Sequence, residues 1–136
     1  MVENDVRVQG MSISPELEEN LPQIAGDQIQ LQQVILNLIK NAIDELALLG
    51  PARMKAIRVV TTRGPNSSVS ILVQDTGPGI NPESEANIFD PFFTTKSSGM
   101  GLGLSISRRI IEDHGGGLRL TETTSKGCTF EITLPV

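Results

Sequence analysis

Tryptophan and tyrosine are missing from this chain, and four phenylalanines make up its whole aromatic content. That scarcity argues against a stacking platform for bases or sugars. A single cysteine, Cys128, rules out an internal disulfide and fits a reducing, cytoplasmic compartment. No apolar run approaches ~20 residues, so no helical membrane span is expected. The opening segment MVENDVRVQG is polar and acidic and does not read as a signal peptide. Positive charge is also short. Eleven Lys and Arg stand against sixteen Asp and Glu, for a net charge of −5, and no basic cluster is visible. Nucleic acid is therefore not an expected partner, although a single nucleotide needs only one or two cations. Internal repeats and low-complexity tracts are absent as well.

What is present fits one domain. A chain of 136 residues with 38% hydrophobic content can bury about two-thirds of its unfolded surface. Val6 to Ile13 alternate weakly and predict an edge strand. Pro15 and Pro22 punctuate the loop after it, and Pro22 to Ala25 reads as a short second strand. Asp27 is placed as a helix N-cap. From Gln28 to Leu49, Leu31, Val34, Ile35, Leu38, Ala42, Leu46 and Leu49 recur at helical spacing, and Gly50-Pro51 ends the run. Ile57 to Thr62 and Val69 to Gln74 predict a hairpin around Gly64-Pro65-Asn66-Ser67. Asp75 to Gly103 lack steady periodicity and hold five of the thirteen glycines, as a functional loop does. A second helix is expected from about Gly103 to His114, buried on more than one side. Leu118 to Thr123 and Cys128 to Leu134 close the chain as a second hairpin, with Cys128, Phe130, Ile132 and Leu134 on one face. Hairpins alternating with helices predict an α+β two-layer sandwich with the helices on one face of the sheet.

Three constellations carry chemistry. Asn37 and Asn41 lie one turn apart on the first helix, about 40° apart around it, and Asp44 and Glu45 continue that flank. Two amides at the rim of an apolar stripe can offer oxygen to Mg²⁺, which keeps waters and phosphate oxygens as its other ligands. They also suit an ordinary solvated or capping role. Asp75-Thr76-Gly77-Pro78-Gly79-Ile80 follows an apolar strand directly. A carboxylate there can accept from an exocyclic amine such as adenine's, and the glycines admit a ligand close to the backbone; the same residues also spell a turn. Gly99-Met100-Gly101-Leu102-Gly103 leads into a helix, where freed N–H groups favour phosphate oxygens. Its spacing matches neither dinucleotide-binding nor P-loop fingerprints. Thr94, Thr95 and Lys96, just before it, supply hydroxyls and a point charge suited to phosphate.

In order, LQQVILNLIKNAIDEL, DTGPGI, FDPFFTTK, GMGLGLSI and GCTFEITLP resemble the N, G1, F and G2 boxes and the last strand of sensor histidine kinases. The resemblance runs from about Asp27 to Pro135. FFTTK and NAIDEL look like the nitrogen- and oxygen-sensing branch of that family. The resemblance implies a Bergerat-type ATP fold with a mixed sheet. It implies that Asn41 binds Mg²⁺, that Asn37 lies near the phosphates, and that Asp75 binds the adenine amine. Gly77 and Gly79, with Ile80, would shape the adenine pocket, and a mobile lid would span Phe89 to Gly103. Within that lid Lys96 would reach the phosphates beside Thr94 and Thr95, and Gly99, Gly101, Leu102 and Gly103 would cradle them.

Two positions depart from the family. Where many members carry Lys or Arg three residues after the Mg²⁺-binding Asn, this chain has Asp44, which throws weight onto Lys96. Where Thr or Ser is common, it has Cys128, expected as a small core residue beside the base. His114 is the only histidine and reads as a helix-terminal cap. The phosphoacceptor histidine is therefore expected on a separate dimerisation domain of the same full-length protein, with a response regulator downstream and the isolated domain a monomer. Two other readings stand beside this one. An ATP hydrolase of the same superfold would carry Glu where Asn37 stands, since an amide cannot serve as general base. A non-catalytic nucleotide-binding module would not need Asn41, Asp75 and the glycines together.

Overall fold

The computed structural model describes residues 6–8, 10–19, 21–50, 53–80, 82–85, 87–90, 103–124 and 126–136. Among them, β1 (Val6–Val8) and β2 (Met11–Leu17) precede α1 (Gln28–Leu46). Then come β3 (Ala56–Gly64), β4 (Ser68–Asp75), the short α2 (Pro82–Glu85), α3 (Gly103–Asp113), β5 (Gly117–Thr124) and β6 (Gly127–Pro135). The strands form one sheet in the order β1-β2-β3-β4-β6-β5. Only β2 and β3, joined through α1, run parallel, so the sheet is mixed.

The single edge strand expected from Val6 to Ile13 is instead a hairpin, turning near Gly10 at φ +78. Pro15 lies inside β2 rather than in a loop. The N–H groups of Ser12 and Glu18 donate to Lys55 and Thr61 of the β3 side, so odd-numbered residues of β2 point their amides the other way. Pro15, which has no amide proton, thus removes no ladder bond to β3. Pro22 to Ala25 forms no strand.

Asp27 caps α1, accepting from the Gln30 amide at 3.1 Å. The helix stops at Leu46, short of Leu49. The amides of Leu48 and Leu49 then bond three residues back in a tightened turn, which returns Leu49 to the edge of the core. Val34, Leu38, Ala42 and Leu46 form the buried seam of α1. They meet Ile111 of α3 and the inward row of the sheet, including Ile57, Val73, Phe130 and Ile132. Each such side chain contributes roughly 1.5–3 kcal/mol by leaving water. α3 is buried along one side only: Ser107 and Ile111 are inside, while Ile106 stays 47% exposed.

His114 ties the two long helices together at their far ends. Its Nε2 accepts from the Asp27 amide at 3.0 Å, and its Nδ1 lies 2.7 Å from the Ile110 carbonyl, so the proton sits on Nδ1. Gly26 makes room for the ring, since a Cβ there would come within 2.6 Å of it. His114→Ala should therefore cost about 1–2 kcal/mol of stability, read as a lower urea midpoint. An unchanged midpoint would show that the ring carries no load.

Candidate functional site

Alternation along β4 places Val69, Ile71 and Val73 on the helix-covered face, and the next residue of that parity is Asp75. Its cross-strand neighbours are Ile57 and Cys128. A carboxylate thus occupies the end of an apolar row, half-buried, where burial is costly unless donors compensate. Two do. The Gly77 amide donates to Oδ1 at 2.8 Å, and the Cys128 thiol donates to Oδ2 at 3.2 Å. Burial and the nearby charges of Asp75 and Glu45 push the Cys128 thiol far above its ordinary range, so it remains a protonated donor.

The turn after Asp75 is fastened on both sides. Thr76 donates through Oγ1 to the Met54 carbonyl at 2.8 Å and accepts from the Ala56 amide at 3.0 Å. The Ile80 amide donates to Thr123 Oγ1 at 2.7 Å. Gly79 has φ +77, and a Cβ there would fall 2.1 Å from the Thr124 carbonyl oxygen. Gly127 presses equally close to the Asp75 carbonyl. The sequence marked Gly77, Gly79 and Ile80; the partners Thr123 and Gly127 lie more than forty residues on, and no local signal pointed to them.

One ridge of α1 borders this end of the sheet. Asn37, Asn41 and Glu45 follow each other at i+4, all half-buried, about 6 Å apart along the axis. At one end Asn37 donates to Ser107 of α3 and accepts from Gln33, both at 3.2 Å. Ser107 lies one turn into α3, about 6 Å from Gly103, where no described residue comes within 4 Å of a built Cβ. At the other end Glu45 stands over Gly77, with 3.5 Å between its Cβ and a Cβ built on the glycine. The ridge therefore runs from beside α3, whose first turn presents N–H groups without intrahelical partners, to the turn that holds the Asp75 carboxylate.

Phe89 marks the descent toward α3. It meets Phe130 edge-on at 6.2 Å and lies under the Arg108 guanidinium at 4.6 Å, so the first residue expected in the lid is anchored. Thr94, Thr95, Lys96, Gly99, Gly101 and Leu102 lie outside the described residues. The four-residue α2 was not expected. No group of three or more His, Cys, Asp or Glu able to hold a metal occurs among the described residues.

An acceptor at one end of this ridge and helix N–H groups at the other suit a ligand with an amine at one end and anionic oxygens at the other, as in a nucleotide. Comparison with known proteins agrees. The histidine kinase-, DNA gyrase B- and HSP90-like ATPase family matches residues 26–136. The sensor protein TdiS of Thauera aromatica is 38% identical over 134 residues, 97% of this chain and 24% of its own length. FixL of Bradyrhizobium diazoefficiens is 38% identical over 129 residues, 95% of this chain and 25% of its own. The nucleotide-free catalytic domain of the histidine kinase ThkA superposes with a TM-score of 0.74 at 35% identity, covering 90% of this chain and 80% of that one. ThkA has also been solved in complex with the response regulator TrrA. This chain belongs to the histidine kinase-, DNA gyrase B- and HSP90-like ATPase family, as an ATP-binding domain of the histidine kinase kind. It spans about a quarter of the length of these sensor proteins.

The raised Cys128 ionisation has a measurable sign. An unfolded thiol loses its proton near its ordinary value of 9.0, whereas the folded one keeps it. The contribution is complete below that pH and is lost as pH rises above it. Stability should fall by about 1.4 kcal/mol per pH unit above pH 9 from this group. Cys128→Ser should remove that part of the slope in urea titrations at pH 8 to 10.5, and identical slopes would contradict the assignment.

Proposed function

We propose that this domain holds Mg²⁺–ATP along the α1–α3 cleft and transfers the γ-phosphoryl group to a histidine on a dimerisation domain of the same full-length protein. Asp75 accepts from the adenine amine. Gly77, Gly79 and Ile80 set the base against the β5–β6 hairpin, beside Cys128. Lys96, Thr94 and Thr95 contact the phosphates, and the backbone of Gly99, Gly101, Leu102 and Gly103 wraps them. Asn41 supplies one oxygen to Mg²⁺. A single amide fits this cation, which favours phosphate oxygens and waters over an all-protein cage, and when bound the ion neutralises developing phosphate charge. The acceptor imidazole forms its P–N bond as the Pγ–O bond to ADP breaks, a step that asks chiefly for positioning and charge stabilisation. A response regulator then takes the phosphoryl group, as the ThkA–TrrA complex suggests by analogy. Such a domain works in the cytoplasm, where ATP is supplied, and on its own is a monomer.

The observation that carries this reading over ATP hydrolysis is the state of Asn37. Its amide bridges α1 to α3, donating to Ser107 and accepting from Gln33. A hydrolase needs a carboxylate there to draw a proton from water. The test is γ-labelled ATP supplied with and without the separately purified dimerisation domain. Label should appear on that domain's histidine as an acid-labile phosphoramidate, with hydrolysis by the lone domain well below about one turnover per second. Rapid hydrolysis with no transfer would replace the kinase reading with the hydrolase one.

Asn41→Ala should weaken ATP binding about ten-fold in Mg²⁺ and leave binding in EDTA nearly unchanged. Alanine favours helix, so the nucleotide-free melting temperature should hold. A fall in that temperature instead would make Asn41 structural.

A further inference from the structure

We propose that Glu45 is a second carboxylate at the base end of the cleft and that, with Asp75, it selects a 6-aminopurine over a 6-oxopurine. The inference rests on the base lying at Asp75. Glu45 follows Asn41 by one helical turn on the same ridge and is half-buried. Its Cβ stands 3.5 Å from where a Gly77 side chain would begin, over the turn whose amide holds Asp75 Oδ1. Its charge also reaches the Cys128 thiol, which is bonded to Asp75 Oδ2. Glu45 and Asp75 thus flank the same turn, and the charges of both bear on the Cys128 thiol.

Like charges brought together away from bulk water repel. A ligand that presents N–H donors relieves that repulsion, and one that presents a carbonyl oxygen adds to it. Adenine's exocyclic amine has two N–H groups, one available to each carboxylate. A 6-oxopurine offers an acceptor at the same position. Asp75 alone could be matched in part by the N1–H of such a purine; a second carboxylate penalises the oxygen beside it. The discrimination is therefore built largely from a disfavoured alternative.

The experiment compares Mg–ATP with Mg–ITP, which tests the 6-position without the 2-amino group of guanine. Dissociation constants are measured by calorimetry for the unmodified domain, Glu45→Gln, Glu45→Ala and Asp44→Asn, each checked for an intact melting transition. Alanine is the better helix former and secures the test if the amide variant folds poorly. The ratio of ITP to ATP dissociation constants should fall about ten-fold in both Glu45 variants, mainly through tighter ITP binding. It should be unchanged in Asp44→Asn, which removes equal charge from the neighbouring residue. An unchanged ratio in the Glu45 variants overturns the proposal, and so does an equal fall in Asp44→Asn, which would mean general electrostatics. Failure of the unmodified domain to bind either nucleotide would overturn the proposed function itself, and this inference with it.

Discussion

One carboxylate sits where the sheet's own alternation calls for an apolar side chain, and much of the surrounding architecture is arranged to keep it there. Asp75 ends the inward row of β4 beneath α1. Charge at that position is tolerable only because Gly77 and Cys128 supply donors to its two oxygens. The Gly77 amide can reach it only if the chain turns sharply, and the turn persists because Thr76 and Ile80 fasten it to β3 and β5. The approaches of Gly79 to Thr124 and of Gly127 to Asp75 leave no room for a side chain. Glycine at these positions is therefore a packing requirement as well as a conformational one.

The opposite end of the α1 ridge is organised by the Asn37–Ser107 bond. Ser107 is completely buried, so its hydroxyl requires a partner, and Asn37 provides one while linking the two helices. That link sets the start of α3 at a fixed distance from the ridge carrying Asn41 and Glu45. The same amide that joins the helices is one that cannot titrate as a base, so under the proposed kinase reading one residue would serve both packing and the sparing of the phosphoryl group from water.

Much of this was legible in the chain itself. Helical spacing from Gln28 to Leu49 with Asp27 before it, which the structure bears out as far as Leu46, and the two hairpins followed from periodicity and turn residues. The parity of Cys128 correctly placed it inward. What failed was non-local. Pro15 read as a loop because its compatibility with β2 depends on which way the β2 amides point, and the bonds to β3 come from even-numbered residues. The α3 apolar residues suggested burial on several sides, but the helix packs on α1 and the sheet with Ser107 and Ile111, and Ile106 is left 47% exposed. Ser107, Thr123 and Gly127 were missed because each matters through a partner far away in sequence. Glu45 was visible as part of a polar flank, yet its place over Gly77 appears only when α1 is laid against the end of β4.

The position of the bound base is the most direct thing to measure. Backbone amide spectra of the labelled domain, titrated with Mg–ATP, would report it residue by residue. The largest shifts should fall on Gly77, Gly79 and Ile80, with further shifts at Asn41, Glu45 and the first turn of α3. The shallow groove lined by Pro22, Arg63, Gly64, Ser67 and Ser68, some 23 Å away at the other end of β4 by strand rise, should stay silent. Shifts centred on that groove, with Gly77 and its neighbours unmoved, would contradict the placement of ATP at Asp75.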